Sequence, residues 1–576
     1  MNFTRALAAG VERVTAWSDL LDDINVFPVA DGDTGRNLVL SLAPLRFPER
    51  EREALNRDLL LSARGNSGNI AARFFSRLLH AEDIPSLAAA VARGTDQARG
   101  AVREPKPGTM LTFFEALAEG LRDAPGETDP GWYRRLMDRL QDVVRDTVEQ
   151  QPKLRDAGVV DAGALGMYLF FEGFFLALGN PIAGVRPVTE AFGDRLRVRR
   201  SVSGPDEGGW CVDLVLQGAD DSEETYNRLS AVGRSVVLIR EQDYLKVHLH
   251  TDDAVSLRKN IESIGPVVRW SVDDLTRQTT DFSTAAAESS IHIMTDAAGS
   301  LTREGARKLG VTLLDSYLTV GTRCLPETLF SPGELFEAMR RGEKVSTSQA
   351  SVLERQQTYE SVLGRFGRVL YLCVGSVFTG NYEVAREWKS RNDRDDRLTV
   401  IDTGAASGRL GLMVIETARF AARASDPEAV VAFARDAVAR TEEYIFLDRL
   451  KWLAAGGRLS KGSAFFGDML HMKPVISPLP DGAKKVGVVR NRNDQVRYAL
   501  EKLEAGLAPA GTGPVLLEHS DNRPWLEKEV LPLIRSRFPA AEILLQPLSM
   551  TSAAHMGPET WAVAFLRHAV PGDNAQ

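Results

Sequence analysis

The hydrophobic periodicity of this chain changes twice, and each change limits what the segment can become. Residues 1 to about 190 carry a helical period. Phe3, Leu7, Val11, Val14 and Leu21 form one stripe at a spacing near 3.6. Similar stripes run over Ser86–Arg99, Thr112–Ala124, Trp132–Gln150 and Ala164–Leu178, separated by short loops rich in Gly and Asp. The run Gly166–Gly179 is apolar almost throughout, yet it carries Glu172 near its centre. It is too short to span a bilayer comfortably, so it reads as a buried helix.

Near Gly193 the period becomes that of strands. Val198–Val202, Trp210–Gln217, Ser235–Glu241 and Tyr244–His250 alternate or run apolar at strand length, with a helical stretch at Tyr226–Val232. This small α+β unit ends near Asp281, and Thr279–Ser290 reads as a linker. From Ile291 strands and helices alternate. Ile291–Thr295, Val369–Val374 and Leu398–Asp402 are the apolar runs, which predicts a parallel sheet with helices on its faces. The expected organisation is all-α over residues 1–190, α+β over 195–281 and α/β over 290–576.

The 576 residues suffice for three or four domains of ~100–200 residues. A net charge of −8 gives no basic footprint for nucleic acid. In Lys389–Arg397 acidic and basic residues are interspersed, which argues against nucleic acid there too. Three cysteines make no disulfide framework, and Met1-Asn-Phe-Thr-Arg does not read as a signal peptide. A cytoplasmic protein is the expectation.

Chemistry first surfaces at Asp31-Gly-Asp-Thr-Gly35. Two carboxylates two residues apart, bracketed by glycines, suit a hard divalent cation. Mg²⁺ takes oxygen ligands and keeps positions for phosphate oxygens and water. Alone the segment reads equally well as a turn. Ala63-Arg-Gly-Asn-Ser-Gly68 adds a glycine-rich loop entering a helix, a natural phosphate cradle. Pro107-Gly-Thr-Met-Leu-Thr112 and Asp161-Ala-Gly-Ala-Leu-Gly166 also precede helices. No Walker A sequence is present.

Together, Asn25–Asn37, Ala63–Gly68, the Gly-Thr segment and Val159–Gly166 resemble the ATP-binding domain shared by dihydroxyacetone kinases and bacterial fatty-acid kinases. The fatty-acid-kinase branch is the nearer match. The resemblance covers roughly residues 1–190 and implies an all-α eight-helix barrel with two Mg²⁺ ions under the ATP phosphates. It makes Asp31 and Asp33 the catalytic metal ligands, with Asn25 as a third. It places Thr34, Asn37, Gly65, Asn66, Ser67 and Gly68 about the phosphates, and Thr109 and Asp161 near the nucleotide. Arg36 and Asn69 depart from the pattern, standing where a small polar and a small apolar residue are expected.

In the second unit His248 and His250 share one face of a strand, because side chains alternate. Cys211 lies on another strand. One Cys and two His suit Zn²⁺ with a fourth position open, although two strand histidines are commonly surface or core residues. The segments Trp210-Cys211 and Val247–Asp252 also resemble the middle domain of fatty-acid kinases, which carries such a group.

The last half holds Met294–Leu301, Val345–Gln349, Gly375–Gly380, Val400–Thr403, Ala454–Ser460, His471–Pro474 and Ala554–Pro558. Singly, each reads as turn and cap chemistry. Jointly they resemble the DegV family of fatty-acid-binding proteins over nearly all of residues 290–570. That implies a fatty-acid carboxylate held at the mouth of an apolar tunnel by Thr347, Ser348, Ser376 and His555. Arg458 matches a family arginine and is assigned to catalysis. Thr295-Asp-Ala-Ala298 and Glu559 depart from the pattern, which leaves the pocket's shape open.

The combined expectation is a kinase that uses ATP and Mg²⁺ to convert a fatty acid into its acyl phosphate. Expected with it are a homodimer and peripheral membrane contact for lipid exchange. The alternatives are a kinase of a small hydroxylated substrate and a lipid-binding protein with an inactive kinase domain.

Overall fold

The computed structural model describes residues 2–47, 50–102, 104–122, 130–179, 186–198, 208–276, 289–455, 472–508 and 511–568. They fall into two compact units, Met1–Thr284 and Ala285–Gln576.

The first unit begins with eleven α-helices: α1 (Phe3–Ala16), α2 (Ser18–Asp23), α3 (Thr34–Leu42), α4 (Arg52–Ser62), α5 (Gly65–Leu78), α6 (Ile84–Gly100), α7 (Met110–Arg122), α8 (Pro130–Gln150), α9 (Pro152–Ala157), α10 (Ala162–Ala177) and α11 (Val188–Phe192). The apolar run is α10, and every residue from Ala162 to Phe175 is buried. A helix apolar on all sides must be surrounded by others, and α10 packs on α1, α2, α3, α7 and α8. Phe171 meets Phe74, Phe113 and Phe175 there, and Phe74 stacks on Phe114 at 3.7 Å. Glu172, the charge inside the run, is answered by Arg13 of α1 at 2.6 Å. The first apolar stripe is divided at Trp17, where the backbone leaves the helical region. The break matters to the site, because it brings Asp22 to the start of α3.

A four-stranded antiparallel sheet follows, in the order β2-β3-β1-β4. Its strands are β1 (Trp210–Gln217), β2 (Arg234–Glu241), β3 (Tyr244–Thr251) and β4 (Val267–Asp274), with α12 (Glu223–Ser230) and α13 (Ala254–Ile261). Alternation gives the sheet two different faces. Val212, Leu214, Leu216, Leu245, Val247 and Leu249 pack with Leu229, Leu257 and Ile261 of the two helices. The intervening Cys211, Asp213, Lys246, His248 and His250 share the other face, and the sheet contacts α5. The sequence pattern did not reveal α13 and β4, whose alternation is diluted by Arg269 and Asp273. The expected strand Val198–Val202 and the linker Thr279–Ser290 lie almost wholly outside the described residues.

The second unit contains a parallel sheet ordered β11-β10-β5-β6, built from β5 (His292–Asp296), β6 (Val311–Leu314), β10 (Val369–Cys373) and β11 (Leu398–Asp402). This is the parallel sheet the sequence predicts. Two further sheets were not foreseen. One is antiparallel, β8-β7-β9, from β7 (Ser316–Val320), β8 (Arg323–Pro326) and β9 (Val345–Gln349). The other is built from β12 (Thr441–Phe446), β13 (Lys473–Leu479), β14 (Gly482–Val489), β15 (Gly513–His519), β16 (Ala541–Pro547) and β17 (Trp561–Leu566), six strands in mixed orientation ordered β14-β13-β12-β17-β15-β16. The helix Ser407–Ala421 packs on strands β5, β12, β15 and β17, and so on both large sheets. No described helix is long and apolar enough to cross a membrane.

Candidate active site

Asp22 sets the first wall of the site. Its Oδ1 accepts the N–H groups of Gly35 at 2.7 Å and Arg36 at 3.1 Å, capping α3 from the side. Gly35 is required by contact. A Cβ there would stand 2.0 Å from the Ser18 carbonyl oxygen. The loop before α3 then turns Asn25, Asp31 and Asp33 toward one point. Asn25 Nδ2 donates to Asp31 Oδ1 at 2.5 Å, and Asn25 Oδ1 is buried with no protein partner. Burial, then repulsion from Asp33, pushes the Asp31 carboxyl well above its ordinary range. Two mutually repelling carboxylates beside an orphaned amide oxygen are the donor set a hard divalent cation satisfies.

The second wall is the start of α5. Thr34 Oγ1 and Ser67 Oγ lie 3.3 Å apart and join the two loops. Gly65 has φ +58°, a conformation glycine tolerates best, and a Cβ there would strike Asn37 Nδ2 at 2.3 Å. Gly68 is pressed against Ser41 in the same way. Asn37, Gly65 and Gly68 therefore hold α3 against α5, while Asn66 and Ser67 face the cleft.

The third wall was not anticipated as part of this site. The cleft is lined by Asn25, Asp31, Asp33, Thr34, Gly65, Asn66 and Ser67 and also by Cys211, His248 and His250. Nothing in the sequence pattern had joined these two groups. β1 and β3 bring them together, since Cys211 pairs with His250 and Asp213 with His248 across the ladder. Ligand atoms of Cys211, His248 and His250 lie within 4.8 Å of one another. His248 Nε2 is buried without a partner. Burial lowers His250 to about 3, so its imidazole is neutral. Burial, followed by the carboxylates of Asp213 and Asp33, raises the Cys211 thiol well above its ordinary value. A buried thiol with two imidazoles is a donor set that fits a borderline-soft cation.

Three charged residues here were not legible as site residues in the sequence. Arg36, noted only as a departure, points Nη2 at Asp33 Oδ2 from 3.4 Å. Asp273 faces Cys211 across the β1–β4 ladder, within the field of Arg36 and Arg64. Asp213 is buried between the sheet and α5. The alternation that marked Cys211 also put Asp213 on the same face. Thr109 and Asp161 are not among the residues that line the cleft. Thr109 bonds within its own loop, and Asp161 caps α10 through the N–H of Ala164 at 2.7 Å. Burial raises Asp161 to about 7.

In the second unit, Thr347 Oγ1 and His555 Nε2 lie 3.0 Å apart, so two of the four expected carboxylate ligands meet. Ser348 is the next residue on β9 and points the other way, and it is exposed. Ser376 is also exposed, with its N–H on Asp402. Arg458 lies outside the described residues. The departing segment near Asp296 is structural. Its carboxylate accepts from Tyr371, Asn381 and the Val374 N–H, and burial raises it to about 6.

Three family models match successive parts of the sequence. Residues 28–175 match the DAK2 domain, 207–282 the fatty-acid-kinase-A-like middle domain, and 290–568 the DegV family. The chain joins a DAK2 domain, a fatty-acid-kinase-A-like middle domain and a DegV domain. The cleft is thus shared by the DAK2 domain and the middle domain. Among curated relatives, Protein YloV of Bacillus subtilis is 27% identical over 307 residues, covering 48% of this chain and 56% of that protein. A DegV domain-containing protein of Caldanaerobacter subterraneus is 23% identical over 279 residues, covering 48% and 98%. The chain spans about half the length of the first curated relatives it matches. Among solved structures, a fatty-acid-binding DegV family protein of Thermus thermophilus is 23% identical, with a TM-score of 0.43 over 48% of this chain and 99% of that one. The fatty acid kinase B3 protein of Streptococcus pneumoniae, solved with linoleic acid, is 17% identical, with a TM-score of 0.42 over 48% and 99%.

Proposed function

We propose that this chain is a fatty-acid kinase that transfers the γ-phosphate of ATP to the carboxylate of a fatty acid held by the DegV domain. The observation that carries the reading is the convergence of Asn25, Asp31 and Asp33 with Asn66 and Ser67 in one cleft. The union of a DAK2 domain, a fatty-acid-kinase-A-like middle domain and a DegV domain in one chain supports it.

In this reading Asn25, Asp31 and Asp33 hold Mg²⁺, which offsets the charge of the phosphates and of the incoming carboxylate. The hydroxyls of Thr34 and Ser67, the Asn66 amide and the backbone N–H groups of Asn66 and Ser67 at the start of α5 hold phosphate oxygens. A carboxylate oxygen attacks the γ-phosphorus and the bond to the bridging oxygen breaks, with its electron pair leaving on ADP. Carboxylic acids ionise near pH ~4, so the nucleophile is already an anion and no general base is needed. Thr347 and His555 orient that carboxylate by hydrogen bonds. An enclosed acyl tail suits such a substrate, because each buried CH₂ is worth about 0.8 kcal/mol.

The test is direct. Purified protein is given ATP, Mg²⁺ and either oleate or dihydroxyacetone. Hydroxylamine-trapped acyl phosphate is the expected product. Dihydroxyacetone phosphate would replace the proposed acceptor. Lipid binding without turnover with either substrate would leave only a carrier.

A further inference from the structure

We propose that Asp213 of the middle domain is a positioning residue that ties the loop Ala63–Gly68 to the ring of His248, so that one carboxylate sets two walls of the cleft. The inference rests on reading the cleft as a nucleotide site.

Asp213 Oδ2 accepts the Gly65 N–H at 2.9 Å. Its Oδ1 accepts from Asn69 Nδ2 at 3.0 Å and lies 3.3 Å from Lys246 Nζ and 3.4 Å from His248 Nδ1. Lys246 Nζ in turn donates to the Ala63 carbonyl at 2.8 Å. The peptide groups on either side of Arg64 are thus held from one sheet face, the carbonyl by Lys246 and the N–H by Asp213. Between those anchors Gly65 takes its positive φ and turns Asn66 and Ser67 to the cleft. The four side chains and two loop residues involved are all buried, and the contacts span two domains of the sequence.

The other end of the network reaches His248. A carboxylate offers about four acceptor sites, and here four donors converge on it. His248 Nδ1 lies 3.4 Å from Asp213 Oδ1 and 3.9 Å from Cys211 Sγ, which leaves Nε2 as the buried ring nitrogen without a partner. Carboxylates placed behind histidines in this way fix tautomer and ring orientation. An ion pair serving only to fasten sheet to helix would satisfy Lys246. It would have no reason to divide its two oxygens between a loop N–H and a cleft imidazole. Asn69, a departure from the family pattern, completes the arrangement by bonding both Asp213 and the Gly65 carbonyl.

The experiment uses the full chain and two equilibrium readouts. One is binding of a fluorescent ATP analogue with Mg²⁺. The other is titration with Co²⁺ alone, read by thiolate and imidazole absorption bands. Asp213→Asn is expected to weaken both by about 10- to 100-fold with an unchanged circular dichroism spectrum. Asn69→Ala leaves the Lys246 pair intact and is expected to weaken both in the same direction by a smaller factor. If Asp213→Asn does not fold, Asn69→Ala decides alone. A change in only one readout, or in neither, overturns the inference. Failure of the unaltered protein to bind the ATP analogue overturns instead the nucleotide reading on which it rests. Coupled losses without any acyl phosphate from the unaltered protein would uphold Asp213 and remove the proposed acceptor.

Discussion

Thr347 Oγ1 and His555 Nε2 stand 3.0 Å apart although 208 positions separate them in the chain. One sits on β9, the other on the helix Met550–Met556, and the hydrogen bond between them occupies groups that a carboxylate would otherwise engage. His555→Ala and Thr347→Val should each weaken oleate binding about 10-fold, as expected for loss of one charge-assisted hydrogen bond of about 1.5 kcal/mol. Calorimetric titration with oleate measures this. Binding of Mg²⁺–ATP should be unchanged, and a parallel loss there would contradict the division of labour between domains.

Asp31→Ala should abolish turnover and leave oleate affinity intact. The remaining Asp33 cannot by itself complete an oxygen cage for a cation that demands near-octahedral coordination. Hydroxylamine-trapped acyl phosphate and calorimetric titration with oleate, on the same variant, give the two halves of the prediction.

Gly35→Ala should lower stability and nucleotide affinity together. The added methyl meets the Ser18 carbonyl at 2.0 Å, a contact with backbone that cannot rotate away. Overpacking of this kind typically costs about 1–3 kcal/mol, and here the displaced turn carries Asp33 and Thr34. Thermal unfolding and ATP-analogue binding should move as one, and unaltered nucleotide binding would show that α3 tolerates the shift.

The DegV domain should become less stable as pH rises from about 4.5 to about 8. Glu327 is fully buried, accepts the Thr551 N–H at 2.9 Å, and is raised by burial from an ordinary 4.5 to about 8. Between those values the unfolded chain has released the proton and the folded one retains it. Stability from this group is therefore complete below pH 4.5 and lost as pH passes 8. Asp296 acts in the same sense up to about 6. Glu327→Gln keeps the acceptor and removes the ionisation, so its unfolding temperature should fall less between about pH 5 and 8 than that of the unaltered protein. Equal slopes would locate the proton elsewhere.

Zinc content should follow Cys211. Protein purified without chelator is expected to hold Zn²⁺ near one equivalent, and Cys211→Ala should reduce it, because a structural or catalytic zinc needs at least three protein donors. Elemental analysis without zinc in the unaltered protein would remove this cation from the cleft.

Much of this was legible in the chain before folding. The apolar run around Phe171 had to be a buried helix, because its length fails a bilayer and its surface is apolar on every side. The Asp31–Gly35 segment named a cation, and Cys211, His248 and His250 named a second donor set. Strands β1, β3 and β10 declared themselves because one face of each strand, or both, is buried. β4 stayed hidden because its half-exposed surface carries Arg269 and Asp273, which blur the alternation. The six-stranded sheet stayed hidden because its order brings together strands more than a hundred residues apart.

The sequence by itself determined the kinds of group present and the local geometry of each: oxygen donors in a glycine-bracketed turn, imidazoles alternating on a strand, hydroxyls at strand ends. Local spacing can do that, since it depends only on the helical and strand repeats. Which groups share a cleft was decided only by the tertiary structure. The approach of β1 and β3 to α5, fixed by Asp213, Lys246 and Asn69, places Cys211, His248 and His250 against the same cavity as Asp31 and Asp33. No repeat along the chain encodes that meeting, because it depends on how a sheet face and a helix pack together.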